Sequence, residues 1–118
     1  MRYSPVIFLV FLSFGCSETE KFNRDEWNER VDGFYVNRSK QIDDVVDNHL
    51  KTGMSLKEIR SLLGSPDHTS LSDNSVSYQI ELKYERIIAI DPTSGKNLVI
   101  KLSDDSLVTN FSLENWSN

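Results

Sequence analysis

Gly53-Met54-Ser55-Leu56-Lys57-Glu58-Ile59-Arg60-Ser61-Leu62-Leu63-Gly64-Ser65-Pro66 specifies one short helix with its start, its stop and its buried face. Ser55 is placed to cap the first turn, and Glu58, three residues on, to reach back to it, which is the spacing of a capping box. Met54 and Ile59 flank the cap at the spacing of a hydrophobic staple. Gly64 supplies a left-handed stop and Pro66 forbids continuation. Leu56, Ile59 and Leu63 share one face, with Leu62 at its edge.

Upstream, Asn37 to Leu50 has the helical period, with Ile42, Val45, Val46, His49 and Leu50 at i, i+3, i+4, i+7 and i+8. The opposite face holds Lys40, Asp43, Asp44, Asp47 and Lys51, and its Lys40–Asp44 and Asp47–Lys51 spacings suit exposed ion pairs. Downstream, a Ser/Asp/Asn-rich loop runs to about Asn74, and Ser75 to Tyr84 then alternates strictly. Val76, Tyr78, Ile80, Leu82 and Tyr84 are expected on the core side, with Ser77, Gln79, Glu81 and Lys83 opposite. Arg86 to Ile90 extends or bends that strand, and Asp91 to Gly95 reads as a turn. Leu98, Ile100 and Leu102 point inward on the next strand, and Leu107 to Leu113 returns. The expected domain, residues 36–113, is α+β, with two helices packed on one face of a three-stranded antiparallel meander. Residues 114–118 are left as a tail.

This order of elements around Gly53-Met54 and Leu63-Gly64-Ser65-Pro66 resembles the family of small outer-membrane lipoproteins that includes BamE (SmpA/OmlA). That family is similar in fold to the β-lactamase inhibitor proteins. The resemblance covers about residues 40–113 and is carried by Gly53, Met54, Ser55, Glu58, Leu63, Gly64 and Pro66, all in structural roles. It implies a non-enzymatic accessory that binds proteins, in the type member as a subunit of the machinery that assembles outer-membrane β-barrels. The inhibitor relatives imply an alternative, a secreted or lipid-anchored inhibitor or ligand-binding protein. Barrel-assembly members carry a Tyr…Gln-Gly-Asn stretch before the first helix, where this chain has Asp32-Gly33-Phe34-Tyr35-Val36-Asn37.

The N-terminus sets the compartment. Arg2 precedes a short apolar run, Val6 to Phe14, well below the roughly 20 residues that span a bilayer. Residues 1–15 therefore read as a secretory signal peptide. Cys16, the single cysteine, stands where a bacterial lipoprotein carries its lipid-modified cysteine. Leu12 lies four residues before it and Ser13 lies at three, where the lipoprotein pattern prefers an aliphatic residue. Ser13 and Gly15 also suit an ordinary signal peptidase, so plain secretion is a second reading. One cysteine makes no internal disulfide and no thiol pair. A net charge of −5 argues against a nucleic-acid partner and against electrostatic docking on anionic lipid. The expected attachment is thus a lipid on Cys16, in the envelope and at the outer membrane, with another envelope protein as partner and no cofactor.

Residues 16–35 read as a polar tether in which Phe22 and Trp27 are the large apolar residues, docked either on the domain or on a partner; Asp25-Glu26 suit the first turn of a short helix at Trp27, which Asp32-Gly33 breaks. Trp116, beyond the last expected strand, either covers a core edge or meets a partner. Tyr78 and Tyr84 are expected in the core.

Other constellations carry little chemistry. Asp43-Asp44-Val45-Val46-Asp47 has the spacing of carboxylates that share Mg2+ on a diphosphate, but it lacks a second carboxylate set, and Lys40 and Lys51 fit an ordinary solvated face. His49 borders the apolar stripe, and His68 sits in a loop without further ligands. No serine occupies a nucleophile elbow, and Ser94-Gly95-Lys96 lacks the glycine spacing of a phosphate loop. Asn37, Asn110 and Asn115 begin glycosylation sequons, which have meaning only behind a eukaryotic signal peptide. No enzyme activity is expected.

Overall fold

The computed structural model describes residues 19–84 and 92–117. In chain order these form α1 (Arg24–Trp27), β1 (Arg30–Val31), β2 (Phe34–Tyr35), α2 (Arg38–Asp44), α3 (Leu56–Leu63), β3 (His68–Ser70), β4 (Ser75–Lys83), β5 (Ser94–Leu102) and β6 (Val108–Ser117). A π-helical turn, Val45–His49, continues α2. Strands β3 to β6 make a four-stranded antiparallel sheet in sequence order, and β1–β2 form a separate two-stranded hairpin. The expected two helices on a three-stranded meander are therefore corrected to three short helices and two sheets.

The extra elements come from segments whose apolar pattern is too sparse to show. α1 is four residues long, far below the length at which an isolated helix is stable. The Asn23 side chain caps it by accepting from the Glu26 N–H at 2.9 Å, and Trp27 anchors it in the core at 0% exposure. Phe22 packs edge-on against Trp27, ring centroids 5.9 Å apart. The following hairpin turns on Asp32 and Gly33, both at positive φ, as a two-residue hairpin loop requires. The stretch expected to be a tether is thus built into the domain from its first described residues. β3, His-Thr-Ser, pairs along β4 as His68↔Ser77, Thr69↔Val76 and Ser70↔Ser75.

The quoted helix forms as written. Ser55 Oγ accepts from the Glu58 N–H at 3.1 Å, and the Ser55 N–H donates to Glu58 Oε1 at 2.9 Å. Ile59 and Leu63 are fully buried. Gly64 ends the helix at φ +90°, and its carbonyl accepts from the Tyr78 hydroxyl at 2.7 Å. The approach to α3 is stitched to the start of β6: the Gly53 N–H donates to the Val108 carbonyl (2.8 Å), the Val108 N–H to the Met54 carbonyl (2.7 Å) and the Leu56 N–H to the Ser106 carbonyl (2.9 Å). A locally encoded helix is thereby fixed onto the sheet.

The core face of that sheet carries Val76, Tyr78, Ile80, Leu98 and Ile100, all buried against Ile42, Val45, Ile59 and Leu63 of the helical layer. Between Gln79 and Glu81 the β4–β5 register slips by one, so Glu81 pairs with Lys96 and Leu82 with Gly95. Such a bulge sends every later side chain to the opposite face. Leu82 consequently leaves the core face, and Tyr84 is 38% exposed, its ring edge-on to Phe34 at 6.0 Å. This corrects the expectation that Leu82 and Tyr84 join the core.

Ser94 and Gly95 belong to β5 rather than to a turn, and β6 extends through the expected tail to Ser117. Asp91 and the expected extension Arg86 to Ile90 lie outside the described residues.

Gly64→Ala is expected to cost about 2 kcal/mol or more, because a Cβ there meets positive φ and the Asn28 amide 3.1 Å away. Ser55→Ala should cost about 1 kcal/mol, the worth of an N-cap. Urea unfolding of both variants checks the order, and a smaller loss for Gly64→Ala contradicts it.

Candidate interaction surface and the network that positions it

Arg38 opens α2 and is completely buried. Its Nε donates to the Trp27 carbonyl (3.0 Å), Nη1 to Asp67 Oδ2 (2.7 Å) and to the Gln79 carbonyl (2.9 Å), and Nη2 to Asn28 Oδ1 (3.3 Å). The guanidinium lies 3.4 Å from the centroid of the Tyr35 ring and 5.0 Å from that of Trp27, so both rings supply cation–π contact. Asp67 closes the circuit: Oδ1 accepts from the Tyr35 hydroxyl at 2.8 Å and Oδ2 from the Gln79 N–H at 2.9 Å. One cation therefore ties together α1, the hairpin, the entry to β3, and β4.

Burial pushes the Asp67 carboxyl up, but hydrogen bonds from the Gln79 N–H, Arg38 and Tyr35 outweigh it and hold the group below its ordinary value. Tyr35 is raised, first by burial and then by its bond to Asp67. Burial drives the Tyr78 hydroxyl up to about 12.

Two further polar residues of α2 hold the N-terminal segment. Gln41, fully buried, accepts from the Asn23 N–H (3.0 Å) and donates to Glu26 Oε1 (3.0 Å). Asp44 accepts from the Phe22 N–H (2.7 Å) and from the Asn48 amide (2.6 Å), and contacts His49 Nε2 at 3.2 Å. The Phe22 bond, then that of Asn48, holds the Asp44 carboxyl below its usual range. Among the described residues neither Lys40–Asp44 nor Asp47–Lys51 closes an ion pair, because Asp44 is turned toward Phe22. Asp43 and Asp47 stay exposed. His49 stacks on Phe22 at 5.3 Å, and His68 lies exposed on β3. Among the described residues no three His, Cys, Asp or Glu side chains are grouped to hold a metal ion.

The two tryptophans part company. Trp27, one of the expected partner contacts, is corrected to a core residue, with its ring between Phe22 and Arg38 and its buried Nε1–H without an acceptor among the described residues. Trp116 pairs with Gly95, where a Cβ would sit 2.7 Å from indole Nε1; glycine is what lets the indole lie on β5. The bulge brings Leu82 to the same row. On the helix-free face, Trp116, Leu82, Gln79, Asn97, Ser77 and His68 line a cleft of about 360 Å3 with Asp67 at its margin. Trp116 also walls a second cleft of about 350 Å3, with Glu81, Lys83, Lys96 and Asn115. The ring is a half-buried ridge between two clefts.

Beside it runs the outer edge of β6. Its first residue is bonded to Met54 and Gly53, but past Val108 no described residue pairs with that edge. Thr109 to Ser117 contains one charged residue, Glu114, and neither proline nor lysine, the usual guards of an exposed edge. Leu113 is 37% exposed. Of the motif residues, Gly53 and Met54 meet this edge only at Val108, Ser55, Glu58 and Leu63 build α3, Gly64 ends it and bonds Tyr78, and Pro66 follows; Cys16 lies outside the described residues.

Sequence reasoning passed over Arg38, Asp67 and the β6 edge. The signal for Arg38 was register, since Arg38, Gln41, Ile42 and Val45 stand at i, i+3, i+4 and i+7. No protein-family model, curated protein or solved structure matches the chain.

Arg38 is fully buried and Asp67 partly exposed, so removing the carboxylate leaves a buried cation short of its counter-charge; Asp67→Ala should cost about 2 kcal/mol, with Arg38→Met, Asp67→Ala together costing less than the two single losses summed. Urea-unfolding double-mutant cycles test this, and strict additivity contradicts it. The folded-state value of Asp67 is depressed, so its contribution is present above the ordinary carboxylate range and lost as pH falls through its own value. The Tyr78 value is raised, so its contribution is full below about pH 10 and lost as pH rises toward about 12. Tyr78→Phe should flatten that alkaline loss.

Proposed function

We propose that the chain is a non-enzymatic protein-interaction module of the bacterial cell envelope, anchored by lipid on Cys16 and receiving an extended segment of another envelope protein along β6. The observation that supports the reading is the edge of β6, which no described residue pairs past Val108, with Trp116 fixed near one end of it. An unguarded edge offers a ready ladder of N–H and C=O groups, and strand addition is a recurrent mode of peptide recognition. Trp is a favoured interface anchor when its ring is already held in place. The anchor reading rests on Arg2, the apolar run Val6 to Phe14 and Cys16, and the likeness of Gly53 to Pro66 to the small-lipoprotein family supports the compartment. Membership of the barrel-assembly machinery has less support, because the Tyr…Gln-Gly-Asn stretch is missing. The second reading is a secreted or lipid-anchored inhibitor or ligand-binding protein, and capture of a secreted enzyme at the β6 edge would favour it.

A photoreactive residue at Leu113 or Asn115 in native cells is expected to crosslink one defined protein. Trp116→Ala combined with Leu113→Lys should cut the yield about tenfold or more while leaving the circular dichroism unchanged. Equal yield from a control position on α3 contradicts the surface. Cys16→Ser is expected to move the protein out of the membrane fraction, and retention there contradicts the anchor.

A further inference from the structure

We propose that the cleft along the outer side of α3 binds a phosphate-bearing ligand. It measures about 650 Å3 and is lined by Arg24, Leu56, Lys57, Arg60, Ser61, Gly64 and Ser65. Three cationic side chains and no carboxylate line it, in a chain whose net charge is −5. The concentration is structural as well as compositional. Lys57 and Arg60 sit one turn apart on α3, and Arg24 comes from α1, more than thirty residues earlier in the sequence. Arg24 Nε donates to the Ser61 carbonyl at 3.0 Å, which fixes that guanidinium over the last turn of α3 and leaves its Nη groups for a ligand. Arg60 Nη2 reaches Ser65 Oγ at 3.4 Å, and the Lys57 ammonium has no ion-pair partner among the described residues.

The chemistry of the lining selects the ligand. A carboxylate brings one charge and two oxygens to three cations, whereas a phosphate monoester brings roughly −1.5 to −2 and three acceptor oxygens. Guanidinium forks match phosphate geometry, and a lysine adds a point charge. The cleft exceeds the size of a phosphate group, and the Leu56 side chain gives it an apolar patch. The ligand therefore carries an organic body on its phosphate. The same group comes either from a soluble phosphate ester or from a lipid headgroup. This site is separate from the β6 edge and does not depend on it.

The test uses the chain from Ser17, which contains every described element, titrated by NMR with glycerol 3-phosphate and, in parallel, sedimented with phosphatidylcholine vesicles with or without phosphatidic acid. Shifts confined to α3 and Arg24, or cosedimentation that requires phosphatidic acid, support the site, the first assigning a soluble ester and the second a headgroup. Arg60→Gln and Lys57→Gln should each weaken binding about tenfold, the worth of one charge-assisted hydrogen bond, and Lys101→Gln should not. Added salt should weaken it further. Binding to neither probe, equal binding of glycerate, or binding indifferent to Arg60→Gln and Lys57→Gln overturns the proposal.

Discussion

A buried guanidinium must spend its donors, and the need to satisfy Arg38 organises this fold. Taking that charge out of water costs several kcal/mol unless carbonyls, a carboxylate and aromatic faces replace the lost hydration. Here the Trp27 and Gln79 carbonyls, Asn28, Asp67 and the ring of Tyr35 do so. Those partners come from α1, the hairpin, the approach to β3, and β4, so none of these elements can leave without stranding the cation. A pair of this kind adds little net stability over an apolar replacement. Its effect is to select one arrangement of short elements that have little propensity of their own.

That dependence explains which parts of the fold were legible in the chain. α3 was readable to its caps because Ser55, Glu58 and Gly64 act within one another's reach. α2 and the two central strands were readable because their apolar periods are regular. Asp25-Glu26 signalled a short helix at Trp27 but not its docking, and the hairpin and β3 were not readable, since they contain almost no periodic apolar residues and exist through contacts with distant partners. Asp32-Gly33 is expected only to break a helix, and it is the positive-φ pair of a hairpin. The bulge at Ile80 was invisible because strict alternation is also what an unbulged strand looks like, and it alone decides the side on which Leu82 lies.

The candidate surface was half legible for the same reason. Trp27 and Trp116 both stood out as large aromatics in polar surroundings, and composition alone does not tell which one is buried. Asn23, Gln41 and Asp44 draw the N-terminal segment onto α2 and carry Trp27 inside. Gly95 and the bulge then leave Trp116 on the helix-free face between two clefts. That no described residue pairs with the edge of β6 past Val108 follows from topology: the strand ends the sheet, and the approach to α3 meets only its beginning through Gly53 and Met54.

Residues 20–35 are held to the sheet through Arg38 and α2, so they should fold as part of the same cooperative unit. Native-state amide hydrogen exchange tests this most directly. The Glu20 N–H bonded to Lys40, the Phe22 N–H bonded to Asp44 and the Trp27 N–H bonded to Asn23 should exchange with protection approaching that of Tyr78 and Leu98. Exchange of the three at rates of an unfolded chain, with β4 and β5 still protected, would contradict the account and return that segment to a tether.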